Sequence, residues 1–244
     1  MCGRYSLAPA EFSQLRLSFQ VEAELELKPR YNISPTWAPG YEPPIVFETK
    51  EAGRQIALAR WWLIPSSWSR PLSALPAAFN ARSEELGRKP FWSGSFETRR
   101  CLVPTTGWRE FDGPRGQRRA FQFHYDHALF AFAGLWDRWT SPEGESVQSF
   151  AIVTVAANDM VSPVHDRMPL CLDPVLYDLW LDPGVSGARA FAAAVAPQAS
   201  IAPKSSLAPA AALSVYEADA RGNDSRLEGP ECIAPAATGQ LALF

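Results

Sequence analysis

Along the chain, apolar and polar positions fall mostly into short runs with strand periodicity. Phe121, Phe123 and Tyr125 alternate with polar neighbours, "DHA" supplies a turn and "LFAFAGLW" returns, a pattern that predicts a β-hairpin. "ALARWWLIP" is an apolar run of strand length that stops at Pro65 and predicts a buried strand. "SFAIVTVAA", "MPLCL" and "AALSVYEA" predict three more. Helix signals are fewer. Pro9, with Phe12, Leu15 and Phe19 near helical spacing, predicts a short amphipathic helix behind the N-terminus. Asp173-Pro174 is a start signal for a helix through Trp180, and alanine-rich residues 188–196 predict another. Prolines from Pro29 to Pro44 read as turns. Strands at short spacing without strand–helix alternation give an α+β, β-rich class, an antiparallel barrel-like or curved sheet with short peripheral helices. The stretch from Val195 to Ala212 is the best linker candidate, yet apolar sequence continues beyond it. Residues 1–234 are therefore expected to form a single domain and 235–244 a loose tail.

Composition changes this picture in two places. The 244 residues carry nine Trp and fourteen Phe, so flat rings hold an unusual share of the core or of a binding face. Net charge is −3, yet Arg54 to Arg119 holds eleven Arg and one Lys against five acidic residues, a net of +7. A basic centre suits a phosphate backbone, and a base composition rich in arginine codons would also produce it. Cys2, Cys101, Cys171 and Cys232 lie far apart with no C-x-x-C pair, which argues against a zinc site and against a disulfide framework. The sequence shows no signal peptide and no apolar run of membrane-spanning length, so an intracellular, cytoplasmic protein is expected.

The candidate chemistry begins at Cys2. Methionine aminopeptidase removes an initiator that precedes a small residue, which would leave Cys2 with a free α-amine. Amine and thiol on one carbon skeleton, with pKa values of about 7.7–8.0 and about 8.5, are both partly nucleophilic near neutral pH. Such a 1,2-aminothiol condenses with an aldehyde to an imine, and the sulfur then closes a five-membered thiazolidine intramolecularly. Gly3 permits close backbone approach, and Arg4 offers a fork for phosphate.

"FNARSEE", "RRCLVPTTGWREF" and "VHDRMPL", taken with "MCGRY" in chain order, resemble the SOS response-associated peptidase family. "YNISPT", "FAGLWDRW" and "FAIVTVAAND" extend the resemblance over most of the chain, although Trp62 stands where a glycine is usual. The resemblance implies a β-rich domain with an N-terminal catalytic cysteine that crosslinks to abasic sites in single-stranded DNA; no metal or cofactor is expected, and capping a lesion requires only a monomer. It implies Cys2 as nucleophile, Asn80 and Glu110 as polar groups of the site, and His165 as the acid–base residue. Arg4, Arg82 and Arg167 fall where the family contacts phosphates or orders the site. Histidine suits the proton transfers because its ordinary pKa lies near operating pH. Trp61, Trp62 and Trp68 are candidates for stacking on bases; at least one of the first two belongs in the core, and Trp68, behind a proline turn, is the stronger DNA candidate. His124 and His127 flank the expected hairpin turn and read as solvent-facing. Two other functions fit parts of the pattern: an N-terminal-cysteine amidohydrolase or peptidase, and a passive single-strand-binding module in which Cys2 is incidental.

Overall fold

The computed structural model describes residues 2–9, 12–22, 25–36, 40–114, 117–126, 128–196 and 213–237. The strands are β1 (Tyr5–Leu7), β2 (Arg30–Ile33), β3 (Pro44–Thr49), β4 (Gly53–Leu58), β5 (Arg60–Trp61), β6 (Asn80–Arg82) and β7 (Arg100–Thr105). They continue as β8 (Gly107–Asp112), β9 (Arg119–His124), β10 (Phe130–Thr140), β11 (Ser146–Ala156), β12 (Arg167–Pro169), β13 (Cys171–Leu172) and β14 (Ser214–Ala218). The helices are α1 (Ser13–Phe19), α2 (Pro90–Thr98), α3 (Tyr177–Leu181) and α4 (Gly187–Val195).

These strands form two large sheets rather than a closed barrel. The five-stranded sheet runs β14-β9-β8-β1-β2, and the larger one runs β12-β11-β10-β7-β3-β4 with β13 on β10 and with β5 and β6 on β11. All pairings are antiparallel except β5 and β6, which run parallel to β11. β10 and β11 supply most of the continuous apolar run of the sequence and are buried on both faces over much of their length. Around them pack Trp61, Phe132 and Phe150, with the Trp61 and Phe150 rings stacked at 6.3 Å.

The expected hairpin between "FQFHY" and "LFAFAGLW" does not form. β9 pairs β8 and β14 in one sheet, whereas β10 pairs β7, β11 and β13 in the other, so the turn at Tyr125–Ala128 is a corner between sheets. A doubly buried β10 satisfies both of its edges only in the larger sheet. His124 is consequently buried, not solvent-facing: β9 lies between two neighbours, Tyr216 covers the imidazole at 5.3 Å between ring centres, and Gly107 leaves space beside its Cβ. His127 lies outside the described residues, as do 197–212 of the expected linker and 238–244 of the expected tail. The first residues of that tail are tied down: Pro235 bridges Ala218 and the Ala236 N–H donates to the Glu217 carbonyl.

The expected single strand at "ALARWWLIP" breaks instead after Leu58. Ala59 bonds back to Pro43, Trp62 N–H turns onto the Arg60 carbonyl, and Leu63 N–H reaches the Ala78 carbonyl. "MPLCL" likewise divides: β12 pairs β11, β13 pairs β10, and Leu170 between them donates to Val153 and accepts from Ala133.

Arg100 ties the helices to this frame. Its guanidinium is 1% exposed and donates to five main-chain carbonyls, those of Phe96, Glu97, Trp180, Asp182 and Val185, at 2.5–2.9 Å. These carbonyls close the C-terminal ends of α2 and α3, where a cation also meets the negative end of each helix dipole. An apolar residue at this position would strand several buried acceptors. Arg100→Met is expected to lower stability by at least about 3 kcal/mol, or about 6–12 °C in melting temperature, read by circular dichroism. A shift under about 2 °C would contradict the assigned role.

Candidate active site

Residue 2 reaches the protein interior because β1 is paired on both edges, with β2 through Tyr5 and Ile33 and with β8 through Tyr5 and Trp108. The Arg4 carbonyl accepts from Arg109 N–H at 3.0 Å, and the Tyr5 ring packs edge-on against Trp61 and Phe132. Cys2 is fully buried. Its carbonyl accepts from Asn80 Nδ2 at 2.7 Å, and because a carbonyl only accepts, the contacting amide atom is the NH2. Asn80 Oδ1 is buried and has no partner among the described residues.

Glu110 lies inside β8 and is 1% exposed. Burial pushes its carboxyl up to about 8, and the positive charge at the chain terminus draws it partly back. The Cys2 thiol is raised well above its ordinary value, first by burial and then by the neighbouring Glu110. Near neutral pH the pocket thus favours a protonated thiol and a carboxyl able to give or take a proton.

His165 is lowered from its ordinary value by burial and by the terminal charge. Its Nδ1 accepts from Arg167 N–H at 3.0 Å and lies 2.9 Å from Asp166 Oδ1. One nitrogen cannot serve both contacts in one state. Neutral imidazole takes the Arg167 N–H on Nδ1 and carries its proton on Nε2, and the exposed Asp166 carboxylate is met by the protonated ring.

Asn80 and His165 flank the same strand. β6 pairs β11 with Asn80 opposite Ile152 and Arg82 opposite Thr154, while β12 pairs β11 with Pro169 also opposite Thr154. Asn80 and Arg82 share one face of β6, which is covered at Asn80 and open at Arg82. Arg82 is exposed and forms no ion pair among the described residues, so it is available to an anion. Arg4 is half-buried, with its NH1 on the Gly3 carbonyl and its Nε unpartnered among the described residues. Arg167 is committed: NH1 and NH2 grip the Glu84 carboxylate at 2.6 and 3.0 Å, and NH2 also reaches the Thr154 carbonyl.

Trp68 is not beside Cys2. Its carbonyl accepts from Trp139 Nε1, and Trp139 pairs with Val147, five residues along β11 from Asn80's partner, or about 17 Å. It is half-buried there, with Arg70 stacked at 4.3 Å on the ring and Phe91 edge-on. Trp61 is core, and Trp62 leans on Phe79 with its indole N–H on the Pro76 carbonyl. Sequence reasoning missed Thr154, whose fully buried hydroxyl has no partner among the described residues. A lone hydroxyl residue within "FAIVTVAA" was the available signal.

Among the described residues no group of three His, Cys, Asp or Glu could hold a metal ion, and no helix is long and apolar enough to cross a membrane. A family model described as SOS response associated peptidase (SRAP) matches residues 1–212. The abasic site processing protein YoqW of Bacillus subtilis is 29% identical over 189 residues, which is 75% of this chain and 81% of that protein. The abasic site processing protein HMCES of Xenopus tropicalis is 26% identical over 237 residues, 85% of this chain and 66% of that one. A crystal structure of a protein from Bacteroides thetaiotaomicron has the same fold, with a TM-score of 0.77 at 20% identity over 96% of this chain and 100% of its own.

The ionisation of Glu110 leaves a signature in stability. Its native value of about 8 exceeds the ordinary 4.5, so the unfolded chain releases this proton first as pH rises. The contribution is complete below pH 4.5 and is lost between 4.5 and about 8. Glu110→Gln cannot ionise. Its stability relative to wild type is expected to rise across that interval, by a few kcal/mol at roughly 1.4 per pH unit, in urea titrations at several pH values. A pH-independent difference would mean that Glu110 is ionised in the native protein.

Proposed function

The chain belongs to the SOS response-associated peptidase family, and on that footing we propose that it recognises abasic sites in single-stranded DNA and caps them covalently through Cys2 once Met1 has been removed. Relatives named for processing abasic sites support the substrate class. The observation that carries the chemistry is the 2.7 Å hydrogen bond from Asn80 to the Cys2 carbonyl, which holds residue 2 in the pocket whose carboxyl, Glu110, is raised to about 8.

The ring-opened abasic sugar presents an aldehyde at C1′. The Cys2 amine adds to that carbon and water leaves, giving an imine. The thiol sulfur then adds to the same carbon, and its proton ends on the nitrogen, so the closed thiazolidine forms with net loss of one water. An uncapped imine would acidify the C2′ hydrogens and allow β-elimination of the 3′-phosphate; ring closure removes it. Glu110 takes the proton from the Cys2 ammonium and returns one as the imine forms, because a carboxyl near 8 populates both states near neutral pH. The Asn80 Oδ1 accepts from the amine. His165, with its proton on Nε2, serves sugar opening and dehydration.

Arg82 and Arg4 contact phosphate, while Trp68 with its stacked Arg70 offers a base platform further along the strand. This belt favours nucleic acid over a peptide as substrate, and a peptidase role would not require it.

Purified, Met1-processed protein mixed with single-stranded DNA bearing one abasic site is expected to give a slow band on a denaturing gel. Intact-base DNA, Cys2→Ala and Met1-retaining protein should give none. A band that survives Cys2→Ala would show that the sulfur is dispensable and that the linkage is an imine, on the terminal amine that alanine retains or on a lysine. Arg82→Ala is expected to weaken non-covalent binding and to reduce the slope of log affinity against log salt by about one.

A further inference from the structure

Glu84 has no part in the chemistry described above, although it holds one of the tightest ion pairs in the molecule. It sits in the turn Ser83–Glu85, directly after the strand that carries Asn80. Its two oxygens take both terminal nitrogens of Arg167 at 2.6 and 3.0 Å, a planar fork on a guanidinium that is only 11% exposed. The paired arginine holds the Glu84 carboxyl at about 2, so the fork stays charged over the whole neutral range.

The elements joined in this way lie on opposite edges of β11. Arg82 and Pro169 both face Thr154 in register, and Arg167 NH2 also donates to the Thr154 carbonyl at 2.6 Å. The ion pair is therefore a strut across the end of the strand, with Asn80 on one side and the His165 turn on the other. Arg167 does a second thing with its main chain: its N–H donates to His165 Nδ1 at 3.0 Å. Where Arg167 sits decides where that N–H points, and that N–H decides which ring nitrogen of His165 carries the proton. Asp166, between the two, is exposed and can reach the same Nδ1 at 2.9 Å, so an unbraced turn has a competing arrangement close by.

We propose that Glu84 is a positioning residue which, through Arg167, fixes His165 with Nδ1 as acceptor and Nε2–H turned to the reacting sugar. The role assigned to His165 rests on the proposed crosslinking function; the bracing of its tautomer does not. The Glu84 side of the pair is 57% exposed, where solvent screening keeps the contribution to stability small. The strut is instead expected to show in proton placement and rate while barely moving the melting temperature.

The direct test is long-range nitrogen–proton NMR on the DNA-free, Met1-processed protein labelled at histidine. The chain has only three histidines, and His165→Gln identifies the relevant ring. Wild type is expected to show Nδ1 unprotonated and Nε2 protonated. Glu84→Ala is expected to show a mixture of tautomers and an altered His165 titration. Glu84→Gln, which keeps one hydrogen bond without the charge, should fall between them and serves as the test if Glu84→Ala does not fold. The rate of adduct formation on abasic single-stranded DNA should drop about 10- to 100-fold in Glu84→Ala, the range typical of partners that orient a working histidine. A folded Glu84 variant with the wild-type tautomer and the wild-type rate would overturn the inference. If wild type forms no adduct at all, the crosslinking function fails, and the tautomer measurement still decides the role of Glu84.

Discussion

The site depends on the double pairing of a three-residue strand. Chain ends usually fray because nothing beyond them shares the cost of ordering. Here β1 is gripped by β2 and β8, and the first described residues add bonds in steps: Cys2 carbonyl to Asn80, Arg4 carbonyl to Arg109, Ser6 carbonyl to Thr106 and to the Thr105 hydroxyl. Tyr5, wedged against Trp61 and Phe132, adds a buried aromatic anchor three residues from Cys2. A terminal amine can act as a catalytic group only if its position is as well defined as that of an internal side chain, and these contacts supply that definition.

The pocket is also built against its own charges. Glu110 and the Cys2 thiol are both buried: burial and then Glu110 make the thiol harder to ionise, while burial and, to a smaller extent, Asp166 do the same to Glu110. A buried carboxyl is normally stabilised by a paired cation, yet Arg109, its neighbour in sequence, and Arg4, which pairs with Arg109 across β1 and β8, turn their guanidinium groups to the main-chain carbonyls of Gly222 and Gly3. The positive charge that relieves Glu110 comes from the chain terminus itself. Under the proposed function the amine freed on Cys2 by removal of Met1 would take over this role, and Glu110 would exchange a proton with it without a dedicated lysine.

The candidate site residues were easier to single out in the sequence than the topology was, and the structure brings Asn80 onto the Cys2 carbonyl. Cys2, Asn80, Glu110 and His165 stand in short motifs, and each is a residue type whose reactivity is a property of the side chain alone. α1, the helix after Asp173-Pro174, β11 and β14 were readable because local periodicity and capping specify them. The turn between β9 and β10 was visible, but its sense was not: alternation reports that two strands are half or wholly buried and is silent on which neighbour satisfies their edges. α2 was hidden because "PFWSGSFET" carries a glycine and aromatics rather than good helix formers, and its end is held by Arg100 from outside the helix. Thr154 and the Glu84–Arg167 fork went unread for the same reason, since both acquire meaning only when β6 and β12 meet β11.

The basic centre shows how far charge counting carries. Of its arginines, Arg54 pairs with Asp178, Arg60 with Glu42, Arg99 with Asp137 and Arg119 with Glu217, while Arg100 and Arg109 hold main-chain carbonyls. These six hold sheets, loops and helix ends together, and their charge is largely spent within the protein. Among the described residues of this segment, the other arginines, Arg70, Arg82, Arg88 and Arg118, face outward, with Arg82 beside the site and Arg70 on Trp68. Affinity for a phosphate backbone scales with the cations that can reach it and not with the net charge of a segment. Under the proposed function such a protein has no need of tight equilibrium binding, because a bond formed at C1′ would supply the residence time that phosphate contacts alone would not.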